Sequence, residues 1–201
     1  MLGGIHLTDV VKNLLLINIL MFFGTELLIP DSRAILGLFY PQSELFRPYQ
    51  IVTHLFMHGN FTHILFNMFA LIIFGPALEA LWGPKKFLTY YFITGFGAML
   101  LHMIAQYLEI QYLGGSVNSM SWGASGAIYG ILMAFGLNFP HRTLRLIIPP
   151  IPVKAIYLVL ILISMDVFLG FGRYSTGVAH FAHLGGALIG FWVMEYWKKN
   201  P

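Results

Sequence analysis

The stretch SWGASGAIYG at residues 121–130 places the hydroxyl of Ser125 between Gly123 and Gly126, at the start of a long apolar run. A helix that begins at Ser125 presents unpaired backbone N–H groups and the positive end of its dipole, which favour negative charge on a bound oxygen. A serine in an apolar helix more often bonds to a carbonyl one turn earlier or permits close helix packing. The segment alone leaves both interpretations open.

Composition indicates a polytopic membrane protein. Of the 201 residues, 58% are hydrophobic and 9% are charged, which excludes an ordinary soluble domain and predicts one membrane domain over residues 1–201. The net charge of +3 comes from lysines and arginines scattered between apolar runs, which argues against a nucleic-acid partner. The chain has no cysteine, so any nucleophile must be an oxygen or a nitrogen.

Apolar segments predict an all-α bundle of six membrane-spanning helices. Their approximate limits are 10–29, 60–82, 87–108, 125–138, 153–169 and 178–197. The fourth segment is short, so we expect its N-terminus to lie within the membrane envelope, next to water or protein. Between the first two segments, prolines, aromatic residues and arginines predict an interfacial loop with short helical pieces.

The distribution of basic residues predicts that both termini are cytoplasmic. Lysines and arginines on the side of the termini are Lys12, Lys85, Lys86, Arg142, Arg145, Lys154, Lys198 and Lys199. The opposite side carries Arg33, Arg47 and Arg173. The excess of positive charge marks the cytoplasmic side of a membrane protein.

Polar side chains on three predicted helices fall at similar depths. At 1.5 Å per residue, Ser125 lies about 20 Å, His183 about 21 Å and Asn67 about 22 Å above the cytoplasmic ends of their helices. Polar groups inside a bilayer are costly and indicate a functional site by default. We therefore expect a hydroxyl, an imidazole and an amide to meet roughly 10 Å below the outer boundary of the hydrocarbon core. His63 shares a helix face with Asn67, one turn nearer the outer surface.

Glycines predict close packing of the fourth and sixth helices. Gly126 and Gly130 are four residues apart, as are Gly186 and Gly190, and this small-xxx-small pattern lets helix backbones approach closely. Packing alone could explain these glycines. A hydrogen bond between a serine and a histidine on separate helices would also require such an approach.

Three short motifs carry a resemblance to a known family. HILFN at 63–67, GASG at 123–126 and AHLGG at 182–186, followed by Gly190, resemble the signatures of the rhomboid intramembrane serine proteases. Phe46-Arg47 stands where that family often has Trp-Arg. Glu79 and Gly83 also fit the end of the family's second helix. The match runs through all six predicted helices.

The resemblance implies an intramembrane serine endopeptidase that uses a Ser125–His183 dyad without a carboxylate. Ser125 would be the nucleophile and His183 the general base and acid. The Ser125 N–H with the region of Gly123, His63 and Asn67 would form the oxyanion hole. The implied substrates are membrane proteins whose transmembrane segment unwinds readily within the lipid bilayer. No metal and no organic cofactor is implied.

The resemblance also assigns supporting roles. Tyr129 would pack against the catalytic histidine ring. Gly126, Gly186 and Gly190 would hold the helices together. Residues 170–177 would act as a mobile cap and the fifth helix as a lateral gate. The compact six-span form suggests a bacterial inner membrane.

Some polar residues and two rival functions stay open. His180 lies three residues before His183 on nearly the same face, but the spacing of the following glycines favours His183 as the base. For Asp166 we favour a hydrogen-bonded or interfacial carboxylate over a metal site built with histidines. His102 is expected at the outer end of the third helix. The rivals are an inactive rhomboid-like protein that binds transmembrane helices, and a proton-coupled transporter using His63, His183 and Asp166.

Overall fold

The fold is a helical bundle. The computed structural model describes residues 6–29, 31–145, 150–171 and 179–200. Its helices are α1 (Asp9–Leu27), α2 (Ser32–Leu36), α3 (Gln50–Thr53), α4 (Phe61–Trp82), α5 (Pro84–Tyr112), α6 (Ser125–Asn138), α7 (Ala155–Phe171) and α8 (His180–Lys199), with a 3₁₀ turn at His54–Phe56. The predicted all-α fold class is thereby confirmed.

The long helices follow the predicted apolar segments. Only α5 differs by about a turn at each end: it begins at Pro84, which suits the first helical position, and continues to Tyr112. Helices α1, α4 and α5 are long and apolar enough to cross a membrane, whereas α6 and α7 are shorter apolar helices. The count of six spans therefore stays a prediction. The mobile cap was predicted over residues 170–177. Gly170 belongs to α7, and residues 172–177 lie outside the described part of the chain.

Helix α6 lies at the centre of the bundle, in contact with α4, α5, α7 and α8. Its residues Ala127, Ile131 and Ala134 are fully buried. The outer helices instead expose large apolar side chains such as Leu20 and Phe66. An apolar exterior around a packed centre is the arrangement that a bilayer solvates.

Among the described residues, two pairs of short antiparallel strands accompany the helices, and neither pair was predicted. β1 (Leu38–Phe39) pairs with β2 (Met120–Ser121), and β3 (Thr143–Arg145) pairs with β4 (Pro152–Lys154). Strands of two or three residues are too short to show the alternation by which a strand is recognised in sequence. The β1–β2 pair fixes the outer loop to the segment that precedes α6.

Gln50 organises the outer loop between α1 and α4. Its buried side chain accepts a hydrogen bond from the N–H of Arg47 at 3.0 Å and donates to the carbonyls of Ile35 and Leu45, both at 3.1 Å. Arg47 donates to the carbonyl of Phe46, 2.8 Å away. The Phe46-Arg47 pair thus belongs to a loop that the side-chain amide of Gln50 holds together, a role that was not predicted.

Glu79 joins the end of α4 to the start of α1. Its carboxylate accepts hydrogen bonds from the hydroxyl of Thr8 and from the N–H groups of Val10, at 3.0 Å, and Val11, at 2.9 Å. The first N–H groups of a helix have no partner within the helix, and a carboxylate also suits the positive end of its dipole. Glu79 therefore caps α1 from a neighbouring helix.

Candidate active site

Ser125 is the first residue of α6 and is half-buried. The preceding Gly123 has a φ of +130°, a conformation that side chains rarely adopt, and its N–H donates to the carbonyl of His54 at 2.8 Å. Ser125 borders a small pocket whose lining includes His54 and His102. The space open to water-sized spheres there is about 20 Å³, enough for about one water molecule.

Helices α6 and α8 make a close backbone contact next to Ser125 and His183 in the sequence. A Cβ atom placed on Gly186 would lie 1.9 Å from the carbonyl oxygen of Gly126, so only glycine fits. A Cβ on Gly126 would lie 3.6 Å from the carbonyl oxygen of Ala182. Ser125 precedes Gly126 and His183 follows Ala182, so the two residues adjoin this crossing.

The ring of His183 stacks on Tyr129. Their centroids are 4.3 Å apart and their planes differ by 13°. Tyr129 lies one turn along α6 from Ser125, so the stack holds the imidazole against the helix that begins with the serine. Further along the same crossing, a Cβ on Gly190 would lie 2.5 Å from the hydroxyl of Tyr90, which itself donates to the carbonyl of Gly130 at 2.9 Å.

His63 approaches the site from α4. A Cβ on Gly123 would lie 2.9 Å from Nε2 of His63 and 3.6 Å from Oγ of Ser125, so the imidazole and the hydroxyl flank this glycine. Asn60 caps α4 by accepting a hydrogen bond from the N–H of His63 at 2.8 Å. This cap fixes the start of the helix that carries both His63 and Asn67.

Asn67 presents an unused donor one turn below His63. The residue is 6% exposed, and its Nδ2 is buried without a hydrogen-bond partner in the part of the chain that the structure describes. An unpaired buried amide is costly, so a bound oxygen atom that accepted from it would be stabilised. The contacts therefore bring His63, Gly123 and Ser125 together directly, and place Asn67 on the same helix face as His63.

Asp166 is the site residue whose contacts the sequence analysis did not predict. Its Oδ1 lies 3.1 Å from Nδ1 of His183 and 2.5 Å from Nδ1 of His180. The expected hydrogen-bonded carboxylate is thus present, but it contacts the proposed base, whereas the resemblance implied a dyad without a carboxylate. The three-residue spacing of the histidines, with a single acid on the fifth apolar segment, was the available signal.

Besides their shared contact with Asp166, the two histidines pack against different neighbours. The ring of His183 stacks on Tyr129 of α6. The Cβ of His180 lies 3.2 Å from the position of a Cβ on Gly170, so this residue packs towards α7. Each of Asp166, His180 and His183 could offer one ligand atom to a metal ion, and these atoms lie within 4.8 Å of one another.

Buried histidines in the outer loop have displaced pKa values. Burial lowers the pKa of His54 to about 4, although its hydrogen bond to the carbonyl of Gln50 acts to raise the pKa. Burial also lowers the pKa of His58 to about 3; the nearby His63 adds to the shift and the carbonyl of Phe56 opposes it. The rings of His58 and His63 are 5.1 Å apart. Both loop histidines are therefore neutral at physiological pH.

This burial predicts a loss of stability in acid. Because the folded pKa of His58 lies below its unfolded value of 6.5, the unfolded chain binds more protons below that pH. We expect His58→Phe to recover about 2 kcal/mol of the stability that the wild type loses between about pH 7 and about pH 4.5. Unfolding in detergent at the two pH values measures this, with His141→Gln at an exposed position as control. An unchanged pH dependence in His58→Phe would contradict the assignment.

Comparison with protein-family models finds a Rhomboid domain over residues 45–198. The chain belongs to the rhomboid family. It is 34% identical to "Rhomboid protease AarA" of Providencia stuartii over 152 residues, 67% of this chain and 50% of that protein. It is 31% identical to "Rhomboid-like protease 3" of Toxoplasma gondii over 176 residues, 85% of this chain and 61% of that protein.

A third relative shows how widely the family is distributed. "Rhomboid protein 1, mitochondrial" of Saccharomyces cerevisiae is 30% identical over 143 residues, 70% of this chain and 39% of that protein. The chain thus spans about two fifths to three fifths of the length of these relatives. The family and the apolar helices make this rhomboid an integral membrane protein. The bacterial inner membrane stays a prediction.

Proposed function

We propose that this rhomboid is an intramembrane serine endopeptidase with Ser125 as nucleophile and His183 as general base and acid. The single observation that carries the proposal is the stack of His183 on Tyr129, one turn from Ser125, across the close contact of Gly126 with Gly186. The named proteases among the relatives support it.

In the first half of the reaction, Oγ of Ser125 attacks the carbonyl carbon of the scissile bond while Nε2 of His183 takes the hydroxyl proton. The oxyanion of the tetrahedral intermediate would accept hydrogen bonds from the N–H of Ser125, His63 and Asn67. The unpartnered Nδ2 of Asn67 and the approach of His63 to Gly123 support these roles. Collapse of the intermediate breaks the C–N bond, and His183 returns the proton to the leaving amine.

In the second half, water attacks the ester on Ser125, and His183 takes its proton and returns it to the serine oxygen. The water-sized pocket beside Ser125 supports access of this second reactant. No step needs a metal or an organic cofactor. The helix start at Ser125 supplies the N–H and dipole that favour the oxyanion.

The proposed substrates are membrane proteins with a helix-destabilised transmembrane segment. A peptide bond inside a regular helix is shielded by its own hydrogen bonds and neighbouring side chains, so it must unwind before attack. Because α6 lies at the centre of the bundle, an unwound segment would have to extend into the bundle to reach Ser125. With the predicted topology, the site would lie roughly 10 Å below the outer boundary of the hydrocarbon core.

Proteoliposomes containing the purified protein and a reporter transmembrane segment with helix-breaking residues test this proposal. We expect release of a cut reporter, no cutting of a polyleucine segment of equal length, and fluorophosphonate labelling that maps to Ser125. Folded protein that neither cuts nor takes label would instead indicate the inactive helix-binding alternative. Solute uptake without reporter cleavage would indicate the transporter.

A further inference from the structure

Asp166 is a buried carboxylate on α7 that contacts two histidines of α8. It is 4% exposed and has no role in the reaction described above. His180 and His183 of α8 lie within hydrogen-bond distance of its Oδ1. A carboxylate within an apolar bundle is retained only when such partners compensate its burial.

We infer that Asp166 is a positioning residue for His183, so that the site is a Ser125–His183–Asp166 triad. This inference rests on the proposed function. An acceptor 3.1 Å from Nδ1 keeps a proton on that nitrogen and leaves the lone pair of Nε2 for the proton of Ser125. The negative charge of the carboxylate also stabilises the positive charge that His183 gains during serine attack.

Stacking and hydrogen bonding restrain the imidazole in different ways. The Tyr129 ring, at 4.3 Å and 13°, fixes the plane of the His183 ring. It does not distinguish that ring from one rotated by half a turn, in which the two nitrogens would point elsewhere. Contact of Nδ1 with Asp166 removes this ambiguity, so the two neighbours together define position, rotation and tautomer.

Distances in the cluster favour hydrogen bonds over a metal site. Oδ1 of Asp166 is 2.5 Å from Nδ1 of His180, a direct hydrogen-bond contact. Ligand atoms around a tetrahedral zinc ion are roughly 3.3 Å apart, as bonds of about 2.0–2.2 Å require. One oxygen that accepts from two imidazoles also satisfies the carboxylate without any added ion.

The test measures reporter cleavage by the full chain in proteoliposomes and compares the wild type with Asp166→Asn, which keeps the size of the side chain and removes its charge. We expect kcat to fall about 100-fold and KM to change less than about twofold, because the buried Asp166 would act through His183 and not through substrate binding. His180→Asn is the matched control, since it removes the other partner of the same oxygen. It should lower thermal stability and keep kcat within about threefold of the wild type.

The tautomer of His183 distinguishes a positioning role of Asp166 from a role in stability alone, because only the positioning role fixes which ring nitrogen carries the proton. With ¹⁵N-labelled histidine and His183→Ala to assign the signals, we expect the wild-type His183 proton on Nδ1 and a loss of that preference in Asp166→Asn. The wild-type spectrum decides the matter even if the variant fails to fold: a proton on Nε2 overturns the inference. A kcat loss in His180→Asn equal to that in Asp166→Asn would also overturn the inference. A stoichiometric metal ion that only the wild type retains would do the same.

The same measurements separate the two proposals. A wild-type protein that does not cleave the reporter contradicts the proposed function. A wild type that cleaves, together with an Asp166→Asn variant of equal kcat, leaves the protease intact and contradicts the triad alone.

Discussion

Substitution of Ser125 by alanine is expected to lower kcat for reporter cleavage by about 10⁴-fold or more, and His183→Ala is expected to have a similar effect. Alanine at 125 removes the only oxygen proposed to attack the substrate. Alanine at 183 leaves that hydroxyl without a base and exposes one face of the Tyr129 ring. Initial rates over a range of reporter densities in the membrane separate kcat from KM, and KM should change little.

The double variant provides a sharper criterion. Groups that act in one proton transfer are not additive, so Ser125→Ala with His183→Ala should be no slower than either single variant. Ser121→Ala is the matched control, because Ser121 lines the same pocket but lies in β2, before the helix. Full activity in Ser125→Ala, or a loss in Ser121→Ala as large as that in Ser125→Ala, would contradict the assignment of the nucleophile.

Gly186→Ala is expected to have the largest effect on folding, lowering the free energy of unfolding by about 3 kcal/mol or more. The added Cβ would lie 1.9 Å from the carbonyl oxygen and 2.7 Å from the carbonyl carbon of Gly126. Both are backbone atoms, so no side chain can rotate to make room and α8 must move away from α6. Unfolding in detergent measures the loss, and cleavage activity should fall with it because Ser125 and His183 lie beside this contact.

Gly24→Ala is the matched substitution for Gly186→Ala. Gly24 lies within α1, and nothing approaches within 4 Å of a Cβ placed there. Alanine is the better helix former, so stability should rise by about 0.5–1 kcal/mol or stay unchanged. Equal stability of Gly186→Ala and the wild type would show that the two helices can separate without cost, contrary to the contact described above.

The helices could be predicted from the sequence because each is a long apolar run with a recognisable end. Asn60 before α4 and Gly83-Pro84 between α4 and α5 are local signals that act within a few residues. The start of α6 at Ser125 follows in the same way from the glycines around it. The β1–β2 pair could not be predicted, since it joins residues about 80 positions apart through only two residues on each side.

Ser125, His183, His63 and Asn67 could be proposed because their motifs and depths agree. Asp166 was noticed as an acid in an apolar helix, but its partner depends on how α7 rotates and tilts against α8. Gln50 was not singled out, since its carbonyl partners are defined by the fold of the loop. Hydrophobic pattern specifies which segments are helices, whereas such pairings depend on tertiary packing that the pattern does not encode.

The brevity of α6 has a consequence for the surrounding lipid. At 14 residues, the helix rises about 21 Å, less than the roughly 30 Å of a typical acyl-chain layer. Because neighbouring helices enclose it, hydrophobic mismatch acts on them and not on α6. Gly123 and Ala124, which precede the start of α6, are likewise buried in protein. Lengthening the lipid tails should therefore alter how a foreign helix enters while leaving the hydration of the serine unchanged.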